Sequence, residues 1–490
     1  MADRIAPEIP QILADLNSWW RAPHAVHPKP PPYRRRGVAD LEHALRSSRP
    51  LIQVVRGPRQ VGKTTALQQI VESRIQAGVS PADVFLIRFD LLPLQEAGLL
   101  ALLRWYEGEV RRRPLGRGAP PLLLLDEVHK LPRWADQVKH VFDTFRASMV
   151  LTGSSSVLVA RGQRESLAGR ALTVDFPPFL FREVLECWSP NLARALPDPT
   201  SFVDLVHSAS AARRLFRAIH QQPPQRVHAW RRLLERYYNR GGYPRLYAEE
   251  GGALEDRWAD YLVETVFERV LGVDIPDLFP IEQPRLLRHI YLEVARRTGA
   301  EVSQGSLTQD CNAAGFRTAQ PVVGRYLHYL NDAMLIREFR RYPLARSKTA
   351  RVPMKITLTD LGVRNAIFRG APSLWESPPD VVGPLVETLV QSVLRGIGLQ
   401  VHFYRDYESP GNRRSPIEEV DFVAETLDGT AIPVEVKFRK QIRDSDLATT
   451  RRFLERSGSP YGIVVTRDLL RCDARDPVLC VPVLDFLLGF

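Results

Sequence analysis

The first half of the chain alternates short apolar runs with longer stretches in which apolar residues recur every three or four positions. The apolar runs predict buried strands at 51–55, 84–89, 121–125 and 149–151. The stretches between them predict helices at 66–74, 93–112 and 134–145. Such alternation is typical of a parallel sheet with helices on its faces, which binds ligands at the carboxyl ends of its strands. We therefore predict an α/β fold for this region.

The pattern changes beyond this region. Residues 178–275 have helical periodicity and predict a helical lid. Short helices, a break at Gly315 and a basic strand-like stretch then follow, in the order of a winged helix. Strand-like and helix-like segments alternate again in the last part. We expect five segments, with boundaries at 1–49, 50–177, 178–275, 276–352 and 353–490.

The composition is that of a folded protein with large cores, since 44% of the 490 residues are hydrophobic and 25% are charged. No apolar stretch approaches the roughly 18 residues that cross a bilayer, and the N-terminus lacks the layout of a signal peptide. We therefore expect a cytoplasmic protein with no membrane contact. The four cysteines are scattered, which indicates neither structural zinc nor disulfides.

Positive charge is concentrated in the middle of the chain. The net charge is +11, and residues 276–351 hold 12 basic and 7 acidic side chains, whereas residues 381–490 hold 14 and 16. A basic patch attracts polyanions, although a solvated surface is the other explanation. The basic side chains of the predicted second helix and wing are Arg325, His328, Arg340, Arg341, Arg346 and Lys348. We favour DNA over a purely protein partner here.

A complete phosphate-loop motif follows the first predicted strand, because residues 57–64 read Gly-Pro-Arg-Gln-Val-Gly-Lys-Thr. Gly57 and Gly62 let the backbone curl so that its N–H groups face the phosphates at the start of the next helix. We expect Lys63 to reach the β and γ phosphates and Thr64 to hold Mg²⁺. The predicted nucleotide contacts are Gly57, Arg59, Gln60, Val61, Gly62, Lys63, Thr64 and Thr65. The motif predicts binding of ATP or GTP with Mg²⁺.

Two carboxylates end the apolar run at 121–125, in the Walker B arrangement. We expect Asp126 to bind Mg²⁺ through water and Glu127 to polarise the water that attacks the γ-phosphate. On the next strand, Thr152 or Ser154 is a candidate to orient that water, with an ordinary Ser-rich turn as the alternative. Arg170 is a candidate to meet the γ-phosphate of an adjacent subunit, as arginine fingers do.

A second set of chemically informative residues lies near the C-terminus. Two strand-like segments carry Asp421 and Glu435, and Lys437 shares a strand face with Glu435. These residues spell the D…E-x-K core of PD-(D/E)XK nucleases, in which carboxylates hold a divalent metal and the lysine steadies the nucleophile. Glu387, on a helix-like stretch, is placed to add a metal ligand. A half-exposed hairpin with ordinary surface charges is the alternative.

The geometry of this hairpin gives a test. A two-residue turn at 428–429 would set Asp421 opposite Val436, and Glu435 would then face the other side of the sheet. A joint metal site therefore requires an odd-length connection, such as a three-residue one at 428–430 with a bulge, or a longer loop.

The ordered motifs together resemble one family. They are Gly-Pro-Arg-Gln-Val-Gly-Lys-Thr, Leu-Asp-Glu-Val-His-Lys-Leu-Pro-Arg-Trp, Leu-Thr-Gly-Ser-Ser, Leu-Ala-Gly-Arg, Gly-Gly-Tyr-Pro and Glu-Val-Asp-Phe-Val…Glu-Val-Lys. From about residue 37 onward the chain resembles the bacterial and archaeal AAA-type ATPases that end in a domain of unknown function with a PD-(D/E)XK-like core. ATP rather than GTP is implied by this resemblance, and no Asn-Lys-x-Asp string for selecting guanine is present.

The resemblance implies an α/β fold in which a P-loop AAA-type parallel sheet with a helical lid precedes a winged-helix-like middle domain and an α/β PD-(D/E)XK-like C-terminal domain. The catalytic residues that it implies are Lys63, Glu127, Asp421, Glu435 and Lys437. The metal ligands are Thr64, Asp126, Glu387, Asp421 and Glu435. The 1–49 segment is expected to be an arm that a short helix, bearing Trp19 and Trp20, pins to the core.

Three functional interpretations remain open. In the first, the chain is an ATPase that remodels DNA or moves on it, and its last domain cuts or grips the DNA. In the second, the chain is a regulatory switch, and its nuclease-like domain serves only as a binding module. The third interpretation is a remodeller of protein partners that does not touch nucleic acid. A homo-oligomer, including a ring, is consistent with AAA-type proteins, whose active sites lie at subunit boundaries.

Overall fold

A computed structural model of the protein describes residues 5–22, 26–47, 51–145, 147–153, 167–248, 254–343, 354–394, 399–407 and 416–490. The chain divides into two compact units, Met1–Pro177 and Pro178–Phe490. In these described ranges, every helix is too short or too polar to span a membrane.

The first unit is built on a sheet whose five described strands all run parallel. They are β1 (Ile52–Arg56), β2 (Val84–Arg88), β3 (Leu122–Asp126), β4 (Ser148–Gly153) and β5 (Ala171–Asp175). Their order across the sheet is β2-β3-β4-β1-β5. The predicted α/β fold is thus confirmed for this unit. Strand β5 was not predicted, because it is an edge strand with a single buried side chain and has no apolar run.

Helices cover both faces of this sheet and bury its apolar side chains. The described helices of the unit are α1 (Ile9–Leu16), α2 (Arg36–Ala44), α3 (Lys63–Gln76), α4 (Leu92–Trp105) and α5 (Trp134–Thr144), with a π-helical turn at Tyr106–Arg111. All five residues of β3 are buried. Because the strands are parallel, the phosphate loop, Asp126 and Thr152 all lie at the carboxyl ends of their strands, along one edge of the sheet.

The N-terminal segment packs on the edge strand β2. The indole Nε1 atoms of Trp19 and Trp20 donate to the Val84 carbonyl at 3.1 and 3.0 Å. Asn17 exchanges two hydrogen bonds with the Leu86 backbone, at 2.8 and 2.9 Å. These contacts cover polar backbone groups that an edge strand would otherwise expose. The tryptophans therefore pin the segment to the core, as expected.

The second unit contains an eight-stranded sheet. Its described strands are β6 (Glu301–Val302), β7 (Ile336–Arg341), β8 (Met354–Leu358), β9 (Leu399–Tyr407), β10 (Pro416–Thr426), β11 (Ala431–Lys437), β12 (Gly462–Thr466) and β13 (Val478–Pro482). Their order is β13-β12-β11-β10-β9-β7-β8-β6. Strand β7 pairs antiparallel with β8 and parallel with β9. A single sheet therefore runs through the two regions that were predicted as separate domains at 276–352 and 353–490.

The helices of the second unit begin with a mainly helical region, as predicted for 178–275. This region has α6 (Phe181–Trp188), α7 (Pro190–Ala193), α8 (Phe202–Val206), α9 (Ala209–His220), α10 (Pro224–Arg240) and α11 (Trp258–Leu262), and π-helical turns at Val263–Glu268 and Val270–Asp274. The later helices are α12 (Pro284–Arg296), α13 (Gln304–Ala313), α14 (Gln320–Asp332), α15 (Leu361–Ile367), α16 (Pro379–Val393), α17 (Asp444–Ser457) and α18 (Val483–Leu488).

The segment from α12 to β8 has the element order of a winged helix. Helices α12, α13 and α14 are followed by the antiparallel strands β7 and β8, and β6 pairs with the other side of β8. Strand β8 lies just beyond the boundary predicted at 352. The wing residues Arg346 and Lys348 lie outside the described residues.

The Gly-Gly-Tyr-Pro motif joins two parts of the second unit. Gly241 has φ +74°, and a Cβ there would lie 2.0 Å from Asp360 Oδ1. The Gly242 N–H donates to Asp360 Oδ2 at 2.8 Å, while Asp360 Oδ1 caps α15 by accepting from the Gly362 N–H at 2.8 Å. Gly241 is therefore required where α10 meets the start of α15, and Gly242 is required as well because a Cβ there would lie 2.1 Å from the Phe179 carbonyl oxygen.

Candidate functional site

The phosphate loop connects β1 to α3, as its sequence predicts. Gly62 immediately precedes α3 and has φ +87°, a conformation that favours glycine. A Cβ on Gly57 would lie 2.1 Å from the Phe176 carbonyl oxygen, so the loop packs too closely for a side chain there. Gln60 also has a positive φ, of 64°. These constraints fix a curled loop at the N-terminus of a helix, which is the geometry that binds phosphate.

Lys63 is the first residue of α3 and its side chain is buried. Its Nζ donates to the Gly57 carbonyl at 2.9 Å and to the Pro58 carbonyl at 2.8 Å. The ammonium group therefore lies within the curve of its own loop. From this position it can exchange carbonyl oxygens for the more strongly charged oxygens of a bound phosphate.

Thr64, Asp126 and Thr152 form a continuous hydrogen-bond chain across three elements. Thr64 Oγ1 donates to Asp126 Oδ2 at 2.8 Å, and Thr152 Oγ1 donates to Asp126 Oδ1. Asp126 is 1% exposed. Burial raises the pKa of this carboxyl, whereas the two hydroxyl hydrogen bonds act in the opposite direction. A hydroxyl and a carboxylate thus converge, and oxygen ligands of this kind suit Mg²⁺.

Glu127 follows β3 in a left-handed conformation, with φ +51°. Its backbone N–H donates to Thr152 Oγ1 at 3.3 Å, which links it to the same chain. His129 Nδ1 lies 3.4 Å from Glu127 Oε2. Burial lowers the pKa of His129 to about 4, with nearby Lys130 and Lys63 adding to the effect and Glu127 opposing it. The imidazole beside Glu127 is therefore neutral at neutral pH.

Two neighbours of this site were not predicted from the sequence. His129 is one. The other is Arg88, whose Nε lies 4.0 Å from Asp126 Oδ2 and whose Nη2 donates to Asp90 Oδ2 at 2.6 Å. Arg88 and Asp126 are register partners in the parallel strands β2 and β3. The place of Arg88 beside Asp126 follows from the pairing of β2 with β3, which the sequence pattern did not specify.

Arg170 lies at the opposite edge of the sheet from the phosphate loop. It accepts, through its carbonyl, a 2.9 Å hydrogen bond from the N–H of Ile52, the first residue of β1. The length of β1, roughly 15 Å, separates it from the loop of its own chain. Its guanidinium donates to both oxygens of Asp143, at 2.8 and 3.2 Å. A contact between Arg170 and the γ-phosphate of an adjacent subunit remains a prediction. Ser154, the other candidate beside Thr152 for orienting the water, lies outside the described residues.

Asp421 and Glu435 lie on the antiparallel strands β10 and β11. Phe422 pairs with Val434, and continuing that register sets Asp421 opposite Glu435. The Asp421 N–H donates to Glu435 Oε2 at 3.1 Å. The connection is three residues long, as a joint site requires, but it occupies 427–429 rather than 428–430, because Thr426 N donates to Thr430 O.

Lys355 of β8 completes this cluster and was not predicted. Its Nζ lies 2.8 Å from Asp421 Oδ1 and 2.6 Å from Glu387 Oε2, on helix α16. Lys437 Nζ donates to Glu435 Oε1. The structure therefore brings Glu387, Asp421, Glu435 and Lys437 together, but around an additional lysine.

The pKa values of the cluster reflect this arrangement. Burial raises the pKa of Glu387 to about 8; Asp421 adds to the shift and Lys355 opposes it. Burial and Asp421 raise the pKa of Glu435 to about 7, against the effect of Lys437. Burial disfavours the charge on Lys355, yet Asp421 and Glu387 outweigh it and raise the pKa of its ammonium. Lys355 is therefore charged at neutral pH.

The donor set of this cluster does not fit a divalent cation as it is arranged. Lys355 contacts one oxygen each of Asp421 and Glu387, and the second Asp421 oxygen accepts the Val436 N–H at 2.9 Å. Across the described ranges, no group of three or more His, Cys, Asp and Glu side chains is placed to hold a metal ion. The metal roles predicted for Glu387, Asp421 and Glu435 are not supported by this geometry.

Three segments of the chain match known domain families. Residues 49–185 match the AAA domain, and residues 231–373 and 382–486 match two domains of unknown function, DUF8612 and DUF4143. The last match does not confirm a nuclease-like core, because its family has no described activity.

The chain also has distant relatives. An uncharacterised protein of Haemophilus influenzae is 18% identical over 64% of this chain and 68% of its own length. One of Methanocaldococcus jannaschii is 35% identical over 26% of each chain. Among solved structures, the Walker-type ATPase PABY2304 of Pyrococcus abyssi is 17% identical, with a TM-score of 0.39 over 70% of this chain and 99% of that one. The ORC1 protein of Aeropyrum pernix, solved in complex with DNA, is 17% identical, with a TM-score of 0.29 over 72% and 96%.

The AAA match spans every element of the phosphate site: the loop, the first turn of α3, and the ends of β3 and β4. The parallel sheet, the curled loop and the hydrogen-bonded Thr64 and Asp126 agree with that match. The first part of this chain, residues 49–185, is therefore similar in sequence to the AAA domain and has a P-loop fold built on a parallel sheet.

Proposed function

We propose that this protein hydrolyses ATP and uses the turnover to act on DNA. The observation that carries the ATPase part is the hydrogen-bond chain of Thr64, Asp126 and Thr152 beside the ammonium of Lys63. It places a cation, a hydroxyl, a carboxylate and Glu127 at one edge of the sheet. These are the groups that phosphoryl transfer requires.

Each group has a distinct role in this scheme. Lys63 offsets the negative charge that builds up on the β and γ phosphates. Thr64 and Asp126 would hold Mg²⁺, which neutralises phosphate charge when bound. Glu127 accepts a proton from, or orients, the attacking water, and its backbone is fixed by the bond to Thr152. The neutral His129 adjoins Glu127 without adding a competing positive charge.

The DNA part of the proposal is supported by the winged-helix order and by its exposed cations. Arg317, in the turn between α13 and α14, and Arg325 and His328, on α14, are exposed. Arg340 on β7 is exposed as well. In such a motif, cations on the second helix of the helix-turn-helix, here α14, and on the following strand, here β7, are placed to contact the grooves and phosphates of DNA.

We propose that the C-terminal region of the second unit binds DNA, or supports the region that binds it, and does not cleave it. Metal-dependent cleavage is the alternative, which the convergence of Asp421, Glu435 and Lys437 favours. Lys355 between Asp421 and Glu387 argues against it.

A homo-oligomer that brings Arg170 to a neighbouring phosphate loop is part of the same proposal, since α5 and the start of β5 present the exposed Arg170–Asp143 pair.

The ATP turnover of the full chain, measured with and without duplex, single-stranded and branched DNA, tests this proposal. Stimulation by one form of DNA that is lost on Lys63→Ala supports it. Turnover that is indifferent to every form would favour a remodeller of protein partners instead. No turnover under any condition would remove the ATPase assignment itself.

A further inference from the structure

The Lys355 ammonium is buried at the meeting point of three elements. Lys355 is 3% exposed, and its Nζ contacts Asp421 Oδ1 on β10 at 2.8 Å and Glu387 Oε2 on α16 at 2.6 Å. The same atom lies 4.8 Å from the centre of the Phe422 ring. A charged group held between two carboxylates and over an aromatic face is a built cation site.

The carboxylate oxygens that Lys355 does not contact are largely occupied by other donors. Asp421 Oδ2 accepts the Val436 N–H at 2.9 Å, and Glu435 Oε2 accepts the Asp421 N–H at 3.1 Å. Glu435 Oε1 accepts from Lys437. The four oxygens of Asp421 and Glu435 therefore each have a donor from the protein.

We propose that Lys355 is the resident cation of this cluster and takes the position that a divalent metal would occupy between Glu387 and Asp421. A metal ion would bind these carboxylate oxygens at about 2.0–2.6 Å. Lys355 Nζ already lies 2.6 and 2.8 Å from one oxygen of each. The ammonium competes with a divalent ion for those oxygens, because the two positive charges would lie within a few ångströms of each other and repel.

The charge balance of the cluster supports the same conclusion. Three carboxyl groups face two ammonium groups, those of Lys355 and Lys437. Replacing Lys355 with an apolar residue leaves three carboxyl groups and one ammonium, and a divalent cation bound in its place would favour the ionised form of those carboxyl groups. Lys355 therefore prevents metal binding in the native chain, and its removal is expected to create a divalent-cation site.

The wild-type chain and variants of Lys355 and Asp421 test this inference. Full-length, nucleotide-free protein is stripped of metal with a chelator and then titrated with Mn²⁺. The electron paramagnetic resonance signal gives the concentration of free Mn²⁺, and the difference from the total gives the bound Mn²⁺. The wild type and Asp421→Asn should bind the same amount of Mn²⁺. Lys355→Met should gain one ion per chain, and the double variant Lys355→Met with Asp421→Asn should lose it. An ion bound near Thr64 and Asp126 would be present in both the wild type and Lys355→Met, so the difference between these two proteins excludes it.

Thermal melting supplies a second measurement. Lys355→Met should lower the melting midpoint by roughly 5–10 °C, because it leaves buried carboxylates without a counter-ion. Mn²⁺ should raise the midpoint of this variant and leave the wild type unchanged. Lys355→Arg, which keeps the charge, should bind no additional Mn²⁺.

Two results would overturn the inference. The first is one Mn²⁺ per wild-type chain that is lost on Asp421→Asn, which would mean that a metal displaces the ammonium. This comparison does not depend on any Lys355 variant and holds even if Lys355→Met fails to fold. The second is a folded Lys355→Met protein, with a cooperative melt, that gains no Asp421-dependent Mn²⁺.

Discussion

Thr64 Oγ1 lies 2.8 Å from Asp126 Oδ2, so a hydrogen bond joins the first turn of α3 to the end of β3. The other oxygen of Asp126 accepts from Thr152 on β4. The phosphate loop and the two strand ends are thus held in one geometry by a single buried carboxylate. A substitution at any of the three positions should affect the other two.

Lys63→Ala should reduce ATP turnover by about 100-fold or more, because it removes the cation that meets the developing phosphate charge. The rate of phosphate release by the full chain measures the effect. Lys440→Ala, at an exposed lysine of the second unit, is the matched control and should leave turnover unchanged. Normal turnover by Lys63→Ala would exclude this loop as the site of hydrolysis.

Glu127→Gln should preserve nucleotide binding and lower turnover by about 100- to 10,000-fold, since an amide keeps the size of the side chain but cannot accept the proton. Binding of a fluorescent ATP analogue and turnover are measured on the same preparation. A tight complex with little hydrolysis is the expected result. If turnover stays within a few-fold of the wild type, another residue activates the water.

The sequence predicts most of this first site because its parts are local. A strand that runs into a glycine-rich loop fixes Lys63 and Thr64, and an apolar run that ends in two carboxylates fixes Asp126 and Glu127. The distances between strand ends then follow from the parallel sheet. Arg88 was not predicted, because its place beside Asp126 depends on which strand neighbours β3, and local pattern does not encode strand order.

Thr152→Val should lower the free energy of unfolding of the first unit by about 1–3 kcal/mol, because it leaves one oxygen of the buried Asp126 without a donor. Valine keeps the shape of threonine, so the packing of β4 changes little. Denaturant unfolding measures the loss, and Thr144→Val, at an exposed position of α5, is the control. Equal stability of both variants would argue against the hydrogen bond.

His129 should make the first unit sensitive to acid. The pKa of His129 is lowered to about 4 in the folded chain, below its ordinary value of 6.5, so the folded state disfavours the proton. As pH falls through 6.5 the unfolded state takes up a proton that the folded state does not, and stability declines until about pH 4. This group contributes a loss of at most about 3 kcal/mol.

Unfolding curves of the wild type and His129→Asn between pH 7 and pH 4 measure this effect. The stability difference between them should shift in favour of the variant as pH falls, because asparagine does not titrate. Parallel curves over the whole range would show that His129 is protonated in the folded protein as readily as in the unfolded one.

The second unit shows what the sequence could not predict. Lys355 and Asp421 are 66 residues apart, and their contact depends on β7 pairing with β9 and β8, so that wing and C-terminal strands form one sheet. Hydrophobic pattern and turn signals specify each strand but not its distant partner. The sequence alone indicates that a joint site requires a connection of odd length, with 428–430 as an example. The connection lies one residue earlier, at 427–429, because the hydrogen bond between Thr426 and Thr430 closes the hairpin.

Arg325→Ala should weaken DNA binding with little dependence on DNA sequence if this exposed residue contacts phosphate. Each arginine that binds a phosphate releases counterions, so removing one such arginine should reduce the slope of log affinity against log salt by about 0.9. Fluorescence anisotropy of a short labelled duplex at several salt concentrations gives both quantities. Arg317→Ala, in the preceding turn, should behave in the same way.

Arg133→Ala is the matched control, because Arg133 is an arginine of the first unit with a side chain that is 84% exposed. A decrease in net charge alone would weaken binding equally in all three variants, whereas a docked winged helix would affect only Arg317→Ala and Arg325→Ala. If the wild type binds DNA and both of these variants bind it with the same affinity as the wild type, DNA contacts another surface of the protein. The ATP turnover of Arg325→Ala without DNA should equal that of the wild type, because Arg325 lies outside residues 49–185, which match the AAA domain.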